Sequence, residues 1–541
     1  MNITANVVDI RNRRIYPAKI EIEGDAIRSI LPVQEACSTY VLPGFIDAHI
    51  HIESSMLIPS EFARMAVRHG SVGAVCDPHE IANVLGIKGV EFMIENGDAT
   101  PFKFLFGASP CVPATSFETS GAVLDAAAVE TLLDNPKIGF LSEVMNFPGV
   151  LFHDEELMAK IEAAKQRGKP IDGHAPGLGG EDLRRYIDAG ITTDHEATTY
   201  EEALEKLQNG MSILIREGSA AKNFDALHPL IDEWHDKLML CSDDRHPDDL
   251  RNGHINTLVS RAVREGHDLF DVLQMACINP VEHYALDIGT LREGEKADFI
   301  VVSDLEEFRV LQTFINGECV AREGESLLER LSVVALNRFE TTTKRPSDFE
   351  IGCCESTEVM VAIDHQLLTR ELKEHLECVE GKSRGSIEHD VLKIAVINRY
   401  ADAPPAVAFI HGFGLKRGAI ASSIAHDSHN IVAVGCSDEA ICEAVNRLIE
   451  CQGGICAVSE DEEHVLALDI GGIMSSRDGF EVAGAYERIG RFATQTLGSE
   501  LSTPFMTLSF MALLVIPDLK LSDRGLFDGR RFCFVPVCSS E

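Results

Sequence analysis

The sequence predicts an α/β protein built around a (β/α)8, TIM-like barrel, with a small flanking β-sandwich and a C-terminal α/β domain. Three observations predict it. Between Val41 and Asp244 eight short β-rich runs recur, each followed by a helix-like stretch. Polar, metal-competent side chains stand at the ends of most of those runs. Alternating β-type runs precede the first unit and return after the last.

Residues 1–43 carry period-two runs such as AKIEIEG and the β-branched patch around Val41, the mark of half-buried strands. Residues 44–285 hold the barrel units: FIDAHIHIESS, SVGAVCDPHE, FKFLFGASPC, IGFLSEVMNF, PIDGHAPG, GITTDHEAT, MSILIREGS and LMLCSDDRH. EDLRRYIDAG and YEEALEKLQNG follow the fifth and sixth runs as helices that glycine closes. Eight β-then-α units spell a barrel; an open doubly wound sheet gives no reason for eight. Residues 286–324, with GTLREGEKADFIVVSDLEEFRVLQTFINGECV, return to strands, so the two flanking segments are expected to pair. Residues 325–541 read as a separate α/β domain, since a chain of 541 residues exceeds what one core organises.

Acidic residues outnumber basic ones 86 to 48, a formal charge of -38. That field repels phosphate backbones and anionic lipid, which excludes nucleic acid and membrane as partners and favours a small-molecule substrate. The opening MNITANVVDIRNRR lacks the basic-then-apolar order of an export signal, and no apolar run reaches the roughly 20 residues of a spanning helix. A cytoplasmic, homo-oligomeric protein is expected. Fifteen cysteines without a CxxC pair are expected to be reduced, with none in a disulfide or a zinc site.

Barrel enzymes gather their chemistry at the C-terminal ends of the strands. His49 and His51 stand two apart on the first strand, so alternation sends both imidazoles to one side. Glu143 ends the fourth strand, His174 the fifth, His195 the sixth and Asp243 the eighth. Four imidazoles and two carboxylates suffice for two divalent cations. A lone histidine is more often a hydrogen-bonded structural residue, the reading preferred for His79, His246 and His254 taken singly. An HxH joined to ligands at four further strand ends is hard to reach by accident.

This ordered set resembles the metal-dependent amidohydrolase superfamily. PGFIDAHIHIESSM, CDPHEIANVLG, DGHAPGLGG, IREGSAAKN and CSDDRHPDDL, with GFGLKRGAIASSIAHDSHNIVAVG near the C-terminus, resemble the adenine deaminase family more narrowly. The resemblance implies a hydrolase of C–N bonds in cyclic amidines, with adenine as substrate and Glu143 as a bridging ligand. It also implies manganese, or else iron or zinc. Cyclic amide hydrolases on this barrel use a lysine on the fourth strand; Lys137 lies at its opposite end. That class, a non-catalytic barrel and adenosine as substrate are the competing readings.

Deamination needs water activated at neutral pH, and coordination lowers its pKa from about 16 to about 7. The hydroxide is expected between a His49/His51/Asp243 metal and a His174/His195 metal, with Asp243 moving its proton. Protonation of the ring and of the leaving amine calls for a further acid. Glu53, Asp77 and His79 are the candidates, although Asp77 also fits a helix N-cap and Glu53 a residue that orients a histidine. Asp77, His79, Arg216 and Ser219 are the substrate-binding candidates, and Asp244 and Arg245 are expected to support Asp243. Whether His411 or Lys416 reaches the barrel mouth is left open by the sequence.

Overall fold

The protein is seen in a computed structural model that describes residues 1–219, 221–364 and 366–539. Four strands open the chain: β1 (Asn2–Asp9), β2 (Arg14–Glu23), β3 (Ala26–Pro32) and β4 (Tyr40–Pro43). Eight more alternate with helices: β5 (Phe45–Ile50), β6 (Ser71–Cys76), β7 (Lys103–Ala108), β8 (Ile138–Val144), β9 (Ile171–Gly173), β10 (Thr193–Asp194), β11 (Ser212–Arg216) and β12 (Leu238–Cys241). β5 to β9 neighbour one another in chain order, as do β10 to β12, and every pair is parallel. A parallel bridge between Ile50 and Asp243 brings the end of β12 back to β5 and closes the ring.

β5 and β6 are buried along their whole length, as parallel strands with helices outside and packed side chains inside must be. Ala48, Val75, Phe140, Leu214, Met239 and Cys241 meet inside the ring. They form a plug that leaves the upper mouth to polar groups. The Thr199 hydroxyl accepts from the Glu202 N–H and starts the helix Tyr200–Gln208. Gly210 follows that helix at φ 99°, a conformation closed to most side chains.

Past the barrel come β13 (Phe299–Val302), β14 (Val310–Ile315), β15 (Glu318–Arg322) and β16 (Glu325–Ser326). β13 pairs antiparallel with β4, and β4 lies parallel to β1, so the two flanking segments share one eight-stranded sheet. Alternation gives that sheet two apolar faces. Val41, Phe299 and Val301 face its own core with Ile20 and Phe314. Leu42, Ile300 and Val302 face Leu258, Val259 and Leu273 on the barrel helices.

The C-terminal part is organised by a nine-stranded, mostly antiparallel sheet centred on Val391–Ile397 and Ile431–Gly435. On one face the helix Asp438–Cys451 packs Ile441, Val445 and Leu448 against Ile397 and Ala433. On the other, Ile394, Ile420 and Val432 belong to a single apolar core that also contains Ile81 and Val84 from the barrel. The C-terminal domain is thereby seated over the barrel mouth. Two sulfur pairs correct the expectation of reduced cysteines: Cys353 is joined to Cys378 and Cys354 to Cys538. For the second pair the physical reason is non-local, because Cys538–Ser539 lies beside Ser356–Val361, with Thr357 opposite Cys538. No helix among the described residues is long and apolar enough to cross a membrane.

Candidate metal centre

The barrel's upper mouth gathers all six expected ligands, and Glu143 stands at their centre. One of its oxygens, Oε2, lies 2.8 Å from His174 Nδ1 and 3.1 Å from His195 Nε2. The other, Oε1, lies 3.4 Å from both His51 Nε2 and His79 Nδ1. Across the mouth, Asp243 Oδ1 is 3.2 Å from His51 Nε2 and 3.6 Å from His49 Nε2. Asp243 adopts φ 51°, a left-handed conformation that ordinary residues hold only under tertiary constraint. Its N–H donates to the His49 carbonyl at 3.0 Å, which supplies that constraint.

The protonation pattern fits a cation. His51 Nδ1 lies 3.1 Å from the Asp77 carbonyl oxygen, which can only accept, so Nδ1 carries a proton and the neutral imidazole would turn its Nε2 lone pair into the mouth. His49 Nε2 approaches that lone pair to 3.2 Å. His195 Nε2 is buried and makes no hydrogen bond despite lying 3.1 Å from Glu143 Oε2. Donor atoms of His49, His195 and Asp243 lie within 4.8 Å of one another, as do those of Glu143, His174 and His195. His51, Asp77, His79 and Glu143 form a further such group. Converging nitrogen lone pairs and carboxylates repel one another without a positive charge between them. His195 belongs to two of these groups, so the structure does not separate the ligands into the two sets expected from the sequence.

The other candidates are placed as follows. Asp77 Oδ1 accepts from the Ser109 hydroxyl at 2.6 Å, and Oδ2 faces His79 Nδ1 at 3.3 Å. Burial pushes the Asp77 carboxyl up, but the neighbouring His79 outweighs it and leaves it below its usual value. Glu53 sits behind this loop and accepts from the Ile81 N–H at 3.1 Å; burial pushes its carboxyl up to about 7. Arg216 lines the cavity, but its guanidinium is taken up by Glu196 on both nitrogens and by Asp243 Oδ2 at 2.6 Å. Ser219 points elsewhere: its hydroxyl donates to Asp249 at 2.6 Å and accepts from the His246 N–H, so it holds the loop before Pro247–Asn252. Asp244 accepts from the Ser54 hydroxyl at 2.5 Å, and Arg245 donates to three backbone carbonyls.

His254 and His246 have structural surroundings. His254 bridges Ser71 and Asp47, and His246 packs edge-on against Tyr486. Lys137 is exposed beside Asp98 at the far end of β8. A wider cleft lined by Lys103, Asp287 and Lys296 also lies at that far end, away from the six candidate ligands.

The chain matches the amidohydrolase family over residues 40–320 and the adenine deaminase C-terminal domain over residues 366–533. An adenine deaminase from Sulfurovum sp. strain NBC37-1 is 60% identical over 99% of this chain and 100% of its own. The chain belongs to the adenine deaminase family. A second member, from Salinibacter ruber, is 53% identical over 99% of this chain and 98% of its own. The structure of a β-aspartyl dipeptidase from Fervidobacterium islandicum AW-1 aligns with 61% of this chain and all of its own, at 16% identity and a TM-score of 0.47.

In this member of the adenine deaminase family the cavity also contains residues that sequence reasoning passed over. Glu196 directly follows the candidate ligand His195, a polar neighbour visible in GITTDHEAT. Glu80 closes DPHE and contacts His426 with one oxygen and His429 with the other. Both imidazoles come from the C-terminal domain, in the string SIAHDSHN, where two histidines around an aspartate were the available signal. His426 and Asp427 enter the cavity lining, whereas Lys416 is exposed and pairs with Glu500. Among the described residues His411 is also absent from that lining.

Proposed function

We propose that this chain converts adenine to hypoxanthine and ammonia, with the work divided between the Glu143-centred ligand set and the Asp77–His79 pair. The observation that carries the reading is the Glu143 fork: one carboxylate, fixed at a strand end, faces two imidazoles with each oxygen. His49, His51, His174, His195, Glu143 and Asp243 would hold two divalent cations, manganese first and iron or zinc as alternatives. When bound, such ions supply Lewis acidity that brings the pKa of water from about 16 to about 7.

The chain's own residues then do the rest. Asp243 accepts the proton of the attacking water as the new C6–O bond forms. Arg216 holds that carboxylate ionised and aimed, which accounts for its ion pair better than direct substrate contact does. His79 stands between Asp77 and the pair Glu80 and Asp427, with Nε2 3.6 Å and 3.7 Å from the latter two. Burial lowers its proton affinity, but these three carboxylates outweigh burial and raise it. The His79 Nε2–H is therefore available to a ring nitrogen; Asp243 then passes the water proton to the amine, the C6–N bond breaks to release ammonia, and the C6 hydroxyl returns a proton to His79 as the carbonyl forms. Glu53 holds the loop that carries His79.

Manganese-loaded protein incubated with adenine should release ammonia while the ultraviolet spectrum shifts to that of hypoxanthine, with dihydroorotate and hydantoin inert. Absence of ammonia from adenine would reject the proposal. The exposed position of Lys137 weighs against the cyclic amide alternative.

A further inference from the structure

We infer that the C-terminal domain supplies the specificity wall of the active site. Phe510, Leu513 and Ile516, with Leu367, form an apolar ceiling that accepts a bare planar base and rejects the same base carrying a sugar. The inference deepens the proposed function and rests on it. The division of the cavity carries it. The expected metal ligands in the lining, His51, Glu143, His174, His195 and Asp243, come from the barrel, while the C-terminal domain adds His426, Asp427 and the large apolar side chains of the segment 510–516 and of Leu367.

The ceiling is built, not draped. Phe510 is buried and lies face to face with His426, ring centroids 4.7 Å apart and 14° between planes. His426 is in turn held by Glu80 from the barrel. Lys520, fully buried, donates from Nζ to the Leu367 carbonyl at 2.7 Å and to the Phe510 carbonyl at 2.9 Å. One ammonium thus fixes both chain segments of the ceiling. Leu513 is 8% exposed, whereas Val515 is 38% exposed, which places Val515 at the lip.

Such a wall favours a flat ring by contact and desolvation. It penalises a ribose by chemistry as well as size. Three sugar hydroxyls pressed against leucine, isoleucine and phenylalanine side chains would lose water without gaining partners, each at a cost of roughly tenfold or more in affinity.

The test compares wild-type, Leu513→Ala and Phe510→Ala proteins, metal-loaded, with adenine and adenosine as substrates. Hypoxanthine and inosine binding is measured by calorimetry. Wild-type turnover of adenine is the control: its failure rejects the proposed function and not the wall. Given that turnover, both variants should raise KM for adenine about tenfold while kcat stays within about threefold. Leu513→Met should restore the wild-type KM. Wild-type protein should bind inosine at least about 100-fold more weakly than hypoxanthine, and Leu513→Ala should narrow that ratio. Equal affinity of the wild type for inosine and hypoxanthine would overturn the inference even if neither variant folds. So would folded variants with unchanged KM and an unchanged ratio.

Discussion

Glu143 must keep two like oxygens facing two different pairs of imidazoles, a demand that an amide cannot meet. Glu143→Gln preserves shape but replaces one acceptor oxygen with an NH2 group, which donates to lone pairs that need a cation. Its kcat should fall at least about a hundredfold, the scale on which changes around metal ligands act, and bound metal measured by elemental analysis should fall with it. Full metal content with full turnover would remove Glu143 from the centre. A different carboxyl reports on stability alone. Burial, reinforced by the Asp427 charge, pushes Glu118 up to about 8, so the folded chain keeps a proton there that the unfolded chain releases near 4.5. Stability therefore falls as pH rises from about 4.5 to about 8. Glu118→Gln, which imitates the protonated acid, should melt progressively higher than wild type across that window and close to it at pH 4.5. A difference independent of pH would place the effect elsewhere.

The strands explain why so much of the site was legible beforehand. In a ring of parallel strands the order in space follows the order in the chain, so residues at successive strand ends converge without any knowledge of packing. His49, His51, Glu143, His174, His195 and Asp243 could be read that way. Ser219 and Arg216 stand at a strand end too, but their partners Asp249, Glu196 and Asp243 belong to other elements, and pairing across elements leaves no local pattern. The same holds for Cys354 and Cys538, 184 residues apart. The strand Leu519–Ser522 offers a test of this non-local kind. Burial lowers the Lys520 ammonium to about 7, with Asp518 opposing the shift. Between about 7 and the ordinary lysine value of about 10.4 the unfolded chain binds a proton that the fold does not, so stability gains with rising pH. Lys520→Met should lose that gain, seen as wild-type Tm rising relative to the variant between pH 7 and pH 10. Parallel curves would mean that the ammonium stays charged in the fold.

The barrel alone presents an open polar mouth, and the C-terminal domain converts it into a cavity with opposed polar and apolar walls. Two contacts between the domains perform different tasks. The apolar core shared by Ile81, Val84, Ile420 and Val432 supplies non-directional attachment, which tolerates small shifts. Glu80 supplies direction, because its two oxygens address two imidazoles, His426 and His429, set three residues apart. The consequence is a coupling: the carboxylate next to His79 also fixes the histidine on which Phe510 lies. Replacing Glu80 by Ala should leave the domains attached but unaligned. Hydrogen exchange should then quicken at least about tenfold in residues 422–430 and 504–516, while β6 stays protected by the barrel core. KM for adenine should rise in the same variant, since the ceiling would no longer be held at one height. Unchanged exchange in both segments would show that the apolar core sets the geometry by itself, and Glu80 would then act within the barrel mouth alone.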